Sequence, residues 1–309
     1  MSEVPHRVLV LRALGLGDLL AGVPALRAIR RGLPGHELVL AAPEPLRPLV
    51  ELTGAVDRLL PTGELEPVGW RGPPPDVAVD LHGNGPASRV LLQALAPRRL
   101  VAFGHDGGPA WCTEEHERHR WCRLVGEALG VATDPDDLLL PMPRVGSPAP
   151  GAVVVHPGAA SGSRRWPSRR YAAVARCLAE AGHSVVVTGS GAEHRLAAEV
   201  ASRAGLPDEA VLAGRTDLAG LAALVAGARL LVAGDTGVAH LASAYRTSSV
   251  LLFGPTPPAT WGPPPGPHTV LWHGAGPGDP HGSEVDPALA RITVEEVVAA
   301  ARLRLAARG

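Results

Sequence analysis

Between Val232 and Thr256 the chain reads VAGDTGVAHLASAYRTSSVLLFGPT, an apolar run, a polar Asp235-Thr236-Gly237 turn, a helical segment and a second apolar run. Two apolar strands joined through a helix cannot pair as a hairpin, so this pattern commits the chain to a parallel sheet with covering helices. The helix from about Val238 presents unpaired N–H groups and the positive end of its dipole at the strand end, which suits an anion. The same device recurs upstream. Gly151 to Gly182 reads as a strand, a His156-Pro157-Gly158 turn, a small-residue loop carrying Arg164 and Arg165, and an amphipathic helix. Two such strand ends, one with an arginine pair, suggest a nucleotide diphosphate held across them.

The alternation extends over the whole chain. Strands are predicted at 7–11, 37–41, 77–80, 152–155, 184–188, 229–233 and 249–253, with a short one near 210–212. Helices are predicted at 19–32, 45–53, 87–95 and 294–307. The Pro/Gly/Ser stretch RVGSPAPG, residues 144–151, has no periodicity and reads as a linker. A length of 309 residues with 46% apolar content supplies cores for two domains, 1–146 and 147–309. The expected fold class is α/β, two Rossmann-like domains with parallel sheets facing across a cleft, with ligands at the carboxyl ends of the strands. The C-terminal helix is expected to pack back on the N-terminal domain.

Several function classes fit poorly. A net charge of −1 gives no electrostatic case for nucleic acid. The start MSEVPHRVLVLRALG has no secretory signal pattern, and no run of about 18 apolar residues suggests a membrane span, so a cytoplasmic protein is expected, in transient contact with a membrane surface at most. Three cysteines without CxxC spacing suggest neither a disulfide framework nor zinc. His116 and His119, three apart in EEHERHR, read as one solvated helix face, so no metal is expected. The Gly15-Leu16-Gly17 turn does not open a dinucleotide fingerprint, because Leu20 stands where the third glycine belongs. No GxSxG elbow points to a nucleophilic serine. The basic residues are all arginine, so phosphate contacts fall to guanidinium groups.

The segments HPGA…RRWP, GDTGVAHLASA and FGPTPPATWGPP, with ALGLGDLLAGVPALRAIRR near the start and PDVAVDLHGN at 75–84, resemble glycosyltransferase family 9, the ADP-heptose transferases that include the lipopolysaccharide heptosyltransferases. The resemblance covers nearly the whole chain in order and is poorest over 102–120. It implies a GT-B fold, an N-terminal acceptor domain, a C-terminal donor domain, and inverting transfer of a heptose-like sugar from a nucleotide diphosphate, ADP by analogy, without a cofactor. The acceptor it leaves open is an envelope glycan, a glycolipid or a natural product.

Asp18 directly follows the glycine turn of the first strand. Position alone favours an N-cap of the helix at Leu19; the resemblance implies the catalytic base, which inverting transfer needs to take the hydroxyl proton. Arg164 is the candidate for stabilising charge on the leaving diphosphate, standing where the family commonly has Lys, and Arg165 is placed to share the task. Trp166-Pro167 reads as fixing the loop and starting a helix at Ser168. Donor-binding candidates are Gly17, His156, Gly158, Arg165, Gly189, Ser190, Thr216, Asp217, Leu218, Asp235, Thr236, Gly237 and His240. For Asp235 and Asp217 helix capping is the other reading, and for His156 and His240 a structural packing role. Ala219 stands where some ADP-heptose enzymes have a ribose-binding Glu, which weakens ADP as the nucleotide. A hydrolase or epimerase of GT-B shape and a catalytically silent nucleotide-sugar binder are the remaining alternatives.

Overall fold

The computed structural model describes residues 6–307. The chain divides into two compact units, Met1–Leu140 and Pro141–Gly309. The division falls a few residues before the 144–151 stretch, because that stretch is already tied to the second unit. The Gly151 N–H donates to the Gly227 carbonyl, and Ser147 lies against Gly227.

Unit 1 contains β1 (Arg7–Leu11), α1 (Leu16–Gly32), β2 (Glu37–Ala42), α2 (Arg47–Leu52), β3 (Arg58–Pro61), β4 (Val77–Asp80), α3 (Pro86–Gln93), β5 (Arg99–Val101) and α4 (Glu117–Leu129). Its sheet has the order β3-β2-β1-β4-β5, and every pairing is parallel. The central strands β1, β2 and β4 are apolar runs because both faces are covered. Leu9, Leu11, Val39, Ala41, Ala78 and Leu92 form one core layer, and α4 packs along α1.

Unit 2 contains β6 (Val153–His156), α5 (Ser168–Glu180), β7 (Val185–Val187), α6 (His194–Ala204), α7 (Leu218–Ala226), β8 (Leu230–Gly234), α8 (Gly237–Ala244), β9 (Ser249–Leu252), α9 (Pro258–Trp261), β10 (His268–Leu271), α10 (Pro287–Arg291) and α11 (Val294–Ala306). The sheet order is β10-β9-β8-β6-β7, again parallel throughout. The segment expected as a strand at 210–212 makes a single parallel bridge, Val187 to Val211. Helix α11 packs on α5, β9 and β10 within unit 2. A capping box starts it, with the Glu296 N–H donating to Thr293 and the Thr293 N–H to Glu296.

In each sheet the chain reverses direction across the strand order at one place, between β1 and β4 in unit 1 and between β6 and β8 in unit 2. Connections on either side of such a point leave in opposite directions and open a crevice at the carboxyl ends of those strands.

Burial, with Arg304 and Arg246 facing it, pushes the His268 imidazole down to about 4 from 6.5. The folded state therefore stays neutral there while the unfolded chain takes up a proton, so stability is lost as pH falls from 6.5 toward 4. Replacing His268 by Gln should flatten the stability-versus-pH curve in that window, by up to about 1.4 kcal/mol per pH unit, measured by urea unfolding. An unchanged slope would show that His268 does not contribute.

Candidate active site

The crevice of unit 2 collects the donor candidates except Gly17, which lies in unit 1. His156 ends β6 and Pro157 and Gly158 follow it, Gly189 and Ser190 follow β7 just after Thr188, and Asp235 and Thr236 lead from β8 into α8 at Gly237. Parallel pairing puts all of these on one edge of the sheet. The Gly214 N–H donates to the Gly189 carbonyl, which ties the 214–218 segment to the same edge.

Helix α8 begins with Thr236 as N-cap, in extended conformation and without a side-chain cap bond; the Ala239 N–H donates to the Thr236 carbonyl, and the Gly237 and Val238 N–H groups are left without an intrahelical partner. Asp235 lies one residue before that cap and is buried. Its carboxylate stands 4.0 Å from the Arg164 guanidinium. Asp217, by contrast, is the N-cap of α7 and accepts from the Gly220 N–H at 2.7 Å. Thr216 precedes it, and Leu218 is the first residue of that helix. His240 stands one turn into α8, on the face shared with Thr236 and Gly237, and meets Trp261 edge-on at 5.7 Å.

His156 is buried, its Nδ1 has no hydrogen-bond partner, and burial holds its imidazole below the usual range against the pull of Glu193. The Thr188 and Thr236 hydroxyls are likewise buried and unpartnered. These three orphaned polar atoms on adjacent strand ends leave hydrogen-bonding capacity that a polar ligand can take up. Glu193 was not apparent from the sequence. Its carboxylate accepts from the Ser190 N–H and hydroxyl at 2.8 and 2.9 Å and occupies the space a Cβ at Gly158 would fill.

The arginine loop is built from long-range contacts. Arg164 sits in a 3-10 turn, 162–164. The Ser163 N–H donates to the Gly282 carbonyl, the Asp286 N–H to the Ser163 carbonyl, and the Ser161 hydroxyl to the Pro280 carbonyl. Arg165 turns back to the Ala159 carbonyl at 2.9 Å. Trp166 is buried edge-on to Tyr171, donates to the Ile292 carbonyl, and precedes Pro167 at the start of α5, the loop-fixing role read for it.

The crevice of unit 1 holds Asp18, with Gly17 beside it in the first turn of α1. That helix starts at Leu16 behind Gly15, so Asp18 is the third helical residue rather than the N-cap, and its side chain is half-exposed. Beside it lies a charged cluster that the sequence did not announce. Arg12, at the end of β1, is wholly buried, and its Nη2 stands 3.2 Å from Glu117 and 3.5 Å from the Asp18 carboxylate. Asp80, at the end of β4, is buried, which pushes its carboxyl up although it accepts from Ser88 and the His82 N–H. His82 is held neutral chiefly by burial, opposed by Asp80.

The EEHERHR stretch is not one solvated face. His119 is exposed, and His116 caps α4, but Glu117, Arg118 and Arg120 are buried, because Glu117 pairs with both Arg12 and Arg120 and accepts from the Trp121 indole. Among the described residues no three His, Cys, Asp or Glu side chains are grouped as a metal centre requires.

A Cβ at Gly162 would overlap the Ser283 backbone, so replacing Gly162 by Ala must shift the loop that carries Arg164. A loss of about 1–3 kcal/mol is expected, seen as a lowered Tm. An unchanged Tm would show that the loop yields freely.

Residues 120–281 match the family model for glycosyltransferase family 9 (heptosyltransferase). The chain is 30% identical over 292 residues to lipopolysaccharide heptosyltransferase 1 of Pseudomonas aeruginosa, covering 83% of this chain and 81% of that protein. Its fold matches the structure of E. coli ADP-heptose lps heptosyltransferase II at a TM-score of 0.77 and 22% identity, over 98% of this chain and 99% of that one. It also matches E. coli TibC, an iron-containing dodecameric heptosyltransferase in complex with ADP-D-β-D-heptose, at a TM-score of 0.66 and 16% identity, over 99% of this chain and 77% of that one. Among the described residues of this chain no cluster of His, Cys, Asp or Glu fits an iron centre. The two parallel sheets, the family match and the relative of near-equal extent agree: this chain belongs to glycosyltransferase family 9, the heptosyltransferase family, and is a glycosyltransferase of GT-B fold.

Proposed function

We propose that the chain transfers a heptose-like sugar, with inversion and without a metal ion, from a nucleotide diphosphate donor to a hydroxyl of an envelope glycan or natural product. ADP-heptose is the proposed donor, and the heptose-free core of lipopolysaccharide is the first acceptor to test. Unit 2 takes the donor and unit 1 the acceptor. Among the described residues no helix is long and apolar enough to cross a membrane, and we place the enzyme in the cytoplasm, meeting its acceptor in solution or transiently at a membrane surface.

The observation that carries this reading is the meeting of Arg164, Asp235 and the open N-terminus of α8 on one sheet edge. The N–H groups of Gly237 and Val238 suit the diphosphate, and we assign Asp235 and His240 to the sugar hydroxyls. In the reaction the acceptor oxygen forms a bond to C1 of the sugar, Asp18 takes the hydroxyl proton, and the bond from C1 to the diphosphate oxygen breaks. The departing diphosphate keeps that electron pair, and Arg164 is already in place to stabilise the added charge. No other counter-ion is needed if Arg164, Arg165 and the helix N-terminus share it, which supports the metal-independent reading.

The test is thermal shift against ADP, UDP, GDP, dTDP and ADP-heptose, followed by turnover. A shift selective for ADP and ADP-heptose and lost in Arg164→Ala is expected, about 2.7 kcal/mol of stabilisation at a hundredfold excess over Kd. Asp18→Asn should keep that shift and lose about 10²–10⁴-fold in kcat. No shift with any nucleotide, or full turnover in Asp18→Asn, would overturn the reading. Rapid consumption of donor without acceptor would make it a hydrolase or epimerase.

A further inference from the structure

Arg12 is a cation that unit 1 encloses completely, and nothing in a parallel sheet requires one at the end of a strand. Its planar fork is used on every side. Nε donates to the main-chain carbonyl of Asp18, Nη1 to the carbonyl of Leu81, and Nη2 to Glu117 at 3.2 Å while lying 3.5 Å from the Asp18 carboxylate. The ring of Trp121 covers the guanidinium at 4.9 Å. Helix α1 makes room for it with Gly22, where a Cβ would stand 2.9 Å from Arg12 Cδ.

We propose that Arg12 is the positioning residue for Asp18, fixing its backbone and its carboxylate at once. This inference rests on the reading of Asp18 as the base. One guanidinium plane grips the third residue of α1 by its carbonyl, so the first turn cannot rotate without breaking a buried bond, and the same plane attracts the carboxylate of that residue from 3.5 Å. Leu81 anchors the same plane to the end of β4, across the crevice from β1. Glu117 has a separate task. When Asp18 takes a proton it ceases to balance Arg12, and Glu117, itself held by Arg120 and Trp121, keeps the buried cation paired in both states of the base. A lysine would keep the charge but not the fork, and could not serve Asp18, Leu81 and Glu117 together.

The experiment is a double-mutant cycle between Arg12→Met and Asp18→Asn. Release of ADP from ADP-heptose is followed with heptose-free lipopolysaccharide as acceptor and again with water as acceptor, and ADP binding is measured by calorimetry on each protein. Arg12→Met should lower kcat about 10²-fold, the scale of a misplaced catalytic group, with donor KM and ADP affinity unchanged. On the Asp18→Asn background the same change should cost nothing further. Arg12→Lys should recover part of the lost kcat. Gly22→Ala, which keeps every charge and only displaces Arg12, should lower kcat in the same direction, and it carries the test if Arg12→Met does not fold. Full kcat in Arg12→Met or Gly22→Ala, or losses that multiply with Asp18→Asn, would overturn the positioning role while leaving Asp18 as base. Full kcat in Asp18→Asn with normal ADP binding would overturn the base itself, and with it this inference.

Discussion

Both sheets are parallel without exception, and most of what the molecule can do follows from that. Parallel strands need a crossover at every step, so every strand of a unit ends on the same edge and every loop that carries chemistry leaves from there. The β1/β4 and β6/β8 switch points open that edge in two places, and Arg12, Asp18 and Asp80 stand at the first, His156, Thr236 and Asp235 at the second. The cost is that both faces of the sheet must be covered, which commits the centre of each strand to Val, Leu and Ala and leaves polar residues only at the ends.

The two crevices handle charge differently. In unit 2 Arg164 is partly open to solvent, supported by a loop pinned to residues 280–286, and paired with Asp235 only at 4.0 Å. Such a cation is free to meet a diphosphate without leaving an ideal partner. In unit 1 the cation is sealed in and fully satisfied, which fits a group that orients a neighbour rather than one that meets a ligand. Trp166, wedged on Tyr171 and bonded to Ile292, shows how unit 2 supplies rigidity by apolar packing where unit 1 uses a buried ionic cluster.

Central strands and the glycine turns after them were legible in the sequence because burial on two faces writes an unbroken apolar run. The edge strands β3, β5 and β10 were not. RLLP, RLV and HTVL are three or four residues long, partly exposed and carry Arg, His or Pro, so they leave no periodic signal. The charge-rich EEHERHR stretch suggests a solvated face for His116 and His119, yet Glu117 and Arg120 at the start of α4 turn inward to satisfy each other, which local pattern does not reveal. Asp18, Arg164 and Asp235 stood out through their place beside turns, and the family resemblance fixed their proposed roles. Arg12 and Glu117 lie 105 residues apart, and Arg164 depends on residues more than a hundred positions away, so only the folded chain brings those partners together.

The role proposed for Asp18, a base that takes the proton of an attacking acceptor hydroxyl, fixes the stereochemistry of the product. The direct measurement is the anomeric configuration of the transferred heptose by NMR, compared with that of the ADP-heptose supplied. Direct displacement at C1 predicts the opposite configuration in the product. Retention of the donor configuration would contradict the role of Asp18 as a base and the mechanism built on it.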